Sequence, residues 1–303
     1  MLSKTATTLY DELLVSLRGQ LRPLPDKPEE TPESVLHALW LLAQGQPRSV
    51  ETARQHPLTD LDAAGTARLR ELLAKRIEGV PLAHLTGRQT FMGMELLSSP
   101  DAMIPRKETE LLGVATLDIL RAVARQQDKV TVLDICTGSG NIALALATGE
   151  PKAVVFGSDI SEKTVEMARR NAEFLGLSER VKFRTGDLLK PFEEPAFLGN
   201  VDIVACNPPY ISSARVNTMA PEIISFEPRA AFDGGPFGIK VLYSICNEAP
   251  KFLKRGGWLC VEVGLGQGAG MLKLVNSKRV YTTVRTVPDA AGEIRVITAQ
   301  FGS

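Results

Sequence analysis

At 303 residues the chain has room for one large or two ordinary domains, and its 44% hydrophobic content can build a sizeable core. Lys+Arg and Asp+Glu both number 35, a balance that argues against broad electrostatic binding of nucleic acid, which needs clustered basic surface. No run approaches the roughly 18 apolar residues of a membrane span, and M-L-S-K-T-A-T-T shows no apolar secretory core, so a cytoplasmic protein is expected.

Residues 1–87 carry helical periodicity. Leu9, Leu13, Leu14 and Leu17 share one face of a first helix. Leu21 to Pro32, with four prolines, reads as a loop. Thr31 caps a second helix, with Pro32 at its first position and Val35, Leu36, Leu39, Trp40, Leu42 and Ala43 on its apolar face. Thr59 or Asp60 is expected to cap a third, which buries Leu61, Leu69, Leu72, Leu73 and Ile77. As pattern alone, this small bundle suits a scaffold as well as a partner-docking unit. Gly87, Gly93, Pro100 and Pro105 then break residues 88–105 into two short strands, a hairpin linking the bundle to a domain spanning 106–303.

After a helix from Thr109, strand and helix alternate. Strands are expected over Val130 to Cys136, Lys152 to Asp159, Arg180 to Asp187, Val201 to Cys206 and Gly257 to Val263, with two more at Val280 to Val287 and Glu293 to Phe301. Helices fall over Asn141 to Ala147, Ser161 to Leu175 (Ser161 as cap), Leu242 to Leu253 and Gln267 to Val275. The fold class is therefore α/β: a doubly wound, mainly parallel seven-stranded sheet with an N-terminal helical bundle. Ligands bind beyond the carboxyl ends of the strands in such sheets.

Every chemically distinctive motif sits at one of those ends. D-I-C-T-G-S-G-N, Asp134 to Asn141, follows a buried strand and opens a helix. Gly138 and Gly140 permit close backbone approach, and the helix start favours a negative group. The spacing lacks the third glycine of a dinucleotide cradle, which favours a nucleoside bearing a carboxylate and an amine; a glycine turn without ligand stays open. Asp159 is placed to accept both ribose hydroxyls. Asp187, with Leu188 beside it, reaches the adenine edge; each acid has a plain alternative as a solvated cap. The fourth strand ends in N-P-P-Y. Pro208 and Pro209 cannot continue a ladder, so they stiffen a turn that presents Asn207 and Tyr210. The Asn207 amide oxygen and the Pro208 carbonyl can accept the two N–H groups of an –NH2 and aim its lone pair at an electrophile, chemistry that rests mainly on positioning. The four cysteines show no CxxC spacing and read as reduced thiols, with a metal or disulfide role as the alternative. The three histidines have no metal-ligand spacing.

Together these pieces resemble a class I S-adenosylmethionine-dependent methyltransferase acting on a planar nitrogen. Within that class the chain resembles the protein-(glutamine-N5) methyltransferases of peptide chain release factors. The resemblance rests on P-L-A-H-L-T-G with F-M-G (81–93), I-P-R-K-E-T-E-L-L (104–112), L-D-I-C-T-G-S-G (133–140), N-P-P-Y-I (207–211), E-P-R-A-A-F-D-G-G (227–235) and A-G-E-I-R-V (291–296). It implies that S-adenosyl-L-methionine binds at Asp134, Thr137, Gly138, Ser139, Gly140, Asn141, Asp159, Asp187, Leu188 and Asn207. It assigns catalysis to Asn207, Pro208 and Tyr210, and a substrate slot to these with Pro209, Phe91, Arg106 and Glu227. The substrate would be a release factor whose Gly-Gly-Gln loop enters the site, with the helical bundle as its docking domain; no membrane or direct nucleic acid contact is implied. Cys136 stands where the family usually has glycine, and the bundle differs from the family's usual sequence. Other readings are an N-methyltransferase for a small molecule, an adenine-N6 methyltransferase of DNA, and a non-catalytic cofactor-binding protein.

Overall fold

A computed structural model describes residues 2–22, 24 and 26–302; Pro23 and Pro25 of the expected proline-rich loop lie outside that range. The chain divides into two compact units. One runs to Pro100 and takes in Ile104–Arg106 and Ala220–Phe226; the other holds Asp101–Met103, Lys107–Met219 and Glu227–Ser303. Among the described residues, no helix is long and apolar enough to cross a membrane.

The first unit contains α1 (Lys4–Gln20), α2 (Pro32–Ala43), α3 (Val50–Ala53), α4 (Ala63–Ile77) and α5 (Leu82–Thr86), followed by β1 (Arg88–Phe91) and β2 (Met94–Leu97). Helix α2 is apolar almost all round, as a helix surrounded by others must be, and Val35 to Leu41 are buried apart from His37. The Thr31 side chain accepts from Ser34 N, and Pro32 supplies the fixed first φ. The cap of α4 is Asp62, which accepts from Gly65 N, and not Thr59 or Asp60. Tertiary bonds take those two residues: Asp60 accepts from Ser3 N, and the Thr59 carbonyl accepts from the Trp40 indole. Met92 and Gly93, both at positive φ, form the two-residue turn of the β1–β2 hairpin. A buried ion cluster holds residues 220–226 in this unit. Arg76 pairs with Glu30 (2.9 Å) and Glu222 (3.1 Å), and Glu222 also accepts from Lys27 (3.1 Å).

The second unit is built from α6 (Glu110–Ala124), β3 (Val130–Ile135), α7 (Asn141–Gly149), β4 (Ala153–Asp159), α8 (Glu162–Phe174), β5 (Val181–Thr185), β6 (Val201–Cys206) and α9 (Ser213–Val216). After α10 (Pro221–Phe226), which belongs with the helical unit, come α11 (Lys240–Glu248), β7 (Leu253–Glu262), α12 (Gly268–Ser277), β8 (Tyr281–Pro288) and β9 (Ile294–Phe301). The sheet order is β5-β4-β3-β6-β7-β9-β8. The first five strands are parallel, and β9 and β8 close the sheet antiparallel. Ser161 caps α8 by accepting from Thr164 N, as its position suggests. Helix α11 stops at Glu248, short of the expected Leu253; Pro250 follows in a tight 3-10 turn, and β7 begins at once. The strand order reverses between β3 and β6, so the crevice at their carboxyl ends is the switch point where such sheets bind ligands.

Candidate active site

A cavity of about 280 Å³ opens at that switch point. Its walls come from the turn after β3 (Cys136, Thr137, Gly138, Ser139, Asn141), the end of β4 (Ser158, Asp159), Asp187 and Leu188 after β5, and Asn207 and Pro209 after β6. The four strand ends singled out from sequence therefore meet in one place.

The turn after β3 is held from several sides. Thr137 N donates to the Ser158 carbonyl (2.9 Å), and Gly138 N donates to Asp159 Oδ2 (3.1 Å). Asp159 Oδ1 accepts from Ser161 N (3.1 Å), so the carboxylate is locked at the cavity wall. Burial raises its pKa against the hydrogen bonds from the backbone of Ser161, Gly138 and Ile160. Gly138 has φ +56 and a Cβ there would meet nothing, whereas Cys136 has φ +59 and carries a side chain against the cavity. A left-handed conformation costs a non-glycine residue about 1–2 kcal/mol. The Ser139 hydroxyl, 3% exposed and on the cavity wall, has no hydrogen-bond partner.

Asp134 does not line the cavity. It lies beneath the turn, fully buried, where its Oδ2 accepts from Thr137 Oγ1 (2.6 Å) and Ala143 N (3.1 Å). Burial pushes its carboxyl up to about 7, with those two hydrogen bonds opposing. It braces the loop against the start of α7. Gly140 is likewise behind the wall: at φ +83, a Cβ would sit 2.9 Å from Phe183 Cζ and 3.2 Å from both Ala168 Cβ and Leu144 Cδ1.

The N-P-P-Y turn is split in orientation. Asn207 and Pro209 face the cavity, and Asn207 Nδ2 donates to Thr109 Oγ1 (3.0 Å). Pro208 is buried and off the wall. Tyr210, expected as a slot wall, points elsewhere: its hydroxyl donates to Glu262 Oε1 at 3.0 Å. Burial and then the Glu262 charge raise the phenol's pKa. The other expected substrate contacts divide between the units: Phe91 and Arg106 belong to the first, and Glu227 to the second. Phe91 is fully buried at the end of β1, and Arg106 is paired with Asp26 (2.9 Å) while donating to the Ile104 carbonyl (2.7 Å). Glu227 is buried beside Pro228, which does reach the wall. Of the remaining wall residues, Ala230 and Asp233 fall within E-P-R-A-A-F-D-G-G, whereas Met103, Ile160, Thr164 and Val241 carried no sequence motif that marks them.

A Methyltransferase domain model matches residues 126–279, which hold every lining residue of this cavity except Met103. The fold and site thus define a methyltransferase. The fold alone is shared with the hMettl16 catalytic domain, solved in complex with MAT2A 3'UTR hairpin 6: the TM-score is 0.53 at 15% identity, covering 77% of this chain and 83% of that one. Among curated relatives, the release factor glutamine methyltransferase of Geobacter sulfurreducens is 37% identical over 236 residues, 78% of each chain. That of Moorella thermoacetica is 34% identical over 260 residues, 86% of this chain and 87% of the relative. The chain belongs to the release factor glutamine methyltransferase family.

Proposed function

We propose that the protein transfers a methyl group from S-adenosyl-L-methionine to the side-chain amide nitrogen of glutamine in the Gly-Gly-Gln motif of a peptide chain release factor. Family membership supports the reaction class. The observation that carries the site assignment is Asn207, held by Thr109 in the wall of a cavity that also presents the unpartnered Ser139 hydroxyl. The residues fit the cofactor: Asp159 stands ready for ribose hydroxyls, and the unpartnered Ser139 hydroxyl and the Gly138–Asn141 backbone suit its polar methionine end. Asp187 and Leu188 flank the adenine position. Bound there, the sulfonium supplies an electrophilic methyl group.

The protein's own part is positioning. Asn207 Oδ1 accepts from the substrate –NH2, orienting it, while Pro209 forms the adjoining wall; such alignment lowers a barrier by up to roughly 7–11 kcal/mol. Tyr210 contributes by bracing the turn. Residues 1–87 are proposed to dock the release factor, with 88–105 as the joining hairpin and 106–303 as the catalytic domain. Purified protein with the methyl donor should add a single methyl group to a release factor, seen by intact mass, and none to a variant lacking the motif glutamine. Incorporation only into small molecules of a metabolite extract would replace this reading with the small-molecule one.

A further inference from the structure

We propose that Gln267 is a positioning residue that ties the N-P-P-Y turn to the end of β7 and the start of α12, and so sets where Asn207 and Pro209 stand in the cavity wall. The inference rests on the reading of that turn as the slot for the substrate nitrogen.

Gln267 is itself fixed in place. Its backbone N donates to the Gly264 carbonyl (2.9 Å), just past the end of β7, and its own carbonyl accepts from Met271 N (3.0 Å) in the first turn of α12. From that position the side chain reaches three backbone groups. Its Oε1 accepts from Gly264 N (3.0 Å), and its Nε2 donates to the carbonyls of Tyr210 (2.9 Å) and Gly238 (3.3 Å). A primary amide has two N–H donors beside its oxygen, so it serves both carbonyls and the N–H at once. A carboxylate of the same shape has no donor for either carbonyl, and an ammonium or guanidinium has no acceptor for Gly264 N.

The two carbonyls it joins belong to the turn and to the loop packed on it. Ile211 N donates to the Phe232 carbonyl (2.9 Å), and Gly234 N donates back to the Ile211 carbonyl (2.8 Å), so N-P-P-Y-I and residues 232–238 are held as a pair. Their approach leaves no room for side chains: a Cβ on Gly234 would collide with the Pro209 carbonyl oxygen, and one on Gly238 with that of Tyr210. Asn207 and Pro209 from the turn and Asp233 from the loop line the cavity, so a shift of the pair moves that part of the wall. The Tyr210–Glu262 bond grips the tip of a side chain, whereas Gln267 grips the main chain directly after Pro209. What this grip secures is alignment, and displacing a reacting group by about 1 Å costs roughly 100-fold in rate. Gly138, Asp159 and Leu188, on the walls proposed for the cofactor, follow β3, β4 and β5 instead.

The test is Gln267→Glu in the full chain, which keeps the shape and loses both donors. Titration calorimetry with S-adenosylmethionine gives its Kd and counts the molecules able to bind it. Expressed per binding-competent molecule, kcat should fall roughly 100-fold, with the Kd for S-adenosylmethionine unchanged. Wild-type kcat per binding-competent molecule overturns the proposal, and so does a Kd that weakens in step with kcat, which would mark a general loss of structure. If Gln267→Glu does not fold, Gln267→Met, of similar length and without polar ends, carries the same comparison. A wild type that leaves release factor unmethylated refutes the release-factor reading alone; kcat is then compared on the acceptor it methylates in the metabolite extract, and the same two outcomes decide this proposal.

Discussion

Asp134 makes a quantitative demand on stability. Its carboxyl is fully buried, with Oδ1 unpartnered and only two hydrogen bonds to Oδ2. The rise from the ordinary 3.8 to about 7, at about 1.36 kcal/mol per pH unit, corresponds to about 4 kcal/mol. The sign follows from proton counting. Between about pH 4 and pH 7 the folded protein holds a proton here that the unfolded chain has released, so stability falls as pH rises through that window and then levels off. Asp134→Asn keeps the shape, and its amide oxygen can still accept from Thr137 and Ala143, but it has no charge to bury. The stability of the variant relative to wild type should therefore grow by about 3–4 kcal/mol between about pH 4.5 and about pH 8. Urea unfolding of both proteins across that range, with unchanged m-values, measures it. Glu262 titrates in both proteins and cancels in the difference. Parallel stability–pH curves would refute the account of Asp134 as a buried charge bracing the loop.

Gly140→Ala should destabilise the second unit by about 2–5 kcal/mol, combining left-handed strain with overpacking against Phe183; a loss of only a few tenths in urea unfolding would show that the site relaxes freely. Asp159→Asn should weaken S-adenosylmethionine binding by about 1.5–3 kcal/mol, the range for a hydrogen bond to a charged group. Titration calorimetry at neutral pH reads this directly, and an unchanged Kd removes Asp159 from the ribose position.

What the sequence made legible was where the chain turns, and what stayed hidden was which way side chains face once it has turned. The strand–glycine–helix order, the Ser161 cap and the N-P-P-Y stop are local signals, and all fall where the residues place them. Asp134 looked like a wall residue because it sits near a strand end. Yet β3 is buried along nearly its whole length, so alternation along the strand marks no outward face, and only the tertiary bonds to Thr137 and Ala143 reveal that it points beneath the turn. Tyr210 illustrates the same limit across 52 residues: the motif presents a ring, but the partner that orients it lies at the end of β7. The error at α4 has the same origin, since Thr59, Asp60 and Asp62 are all capping types, and bonds from Ser3 and Trp40 decide among them.

These misplacements have a common physical direction that bears on how the site works. Asp134, Gly140 and Tyr210 are all absent from the cavity lining: Asp134 holds Thr137 and Ala143 N, Gly140 packs closely against Phe183, and Tyr210 turns to Glu262. A transfer that depends on alignment gains from rigid support more than from extra contacts, because displacement of a reacting group by about 1 Å can cost roughly 100-fold in rate. Two buried acids, Asp134 under the cofactor turn and Glu262 under the N-P-P-Y turn, are both pushed up to about 7 by burial. Each costs stability where it stands and holds what its hydrogen bonds reach, Thr137 and Ala143 N at Asp134 and Tyr210 at Glu262. If that is their common purpose, replacing either acid with its amide should raise or spare stability at alkaline pH while loosening the geometry above it, which separates a cost borne for function from an accident of packing.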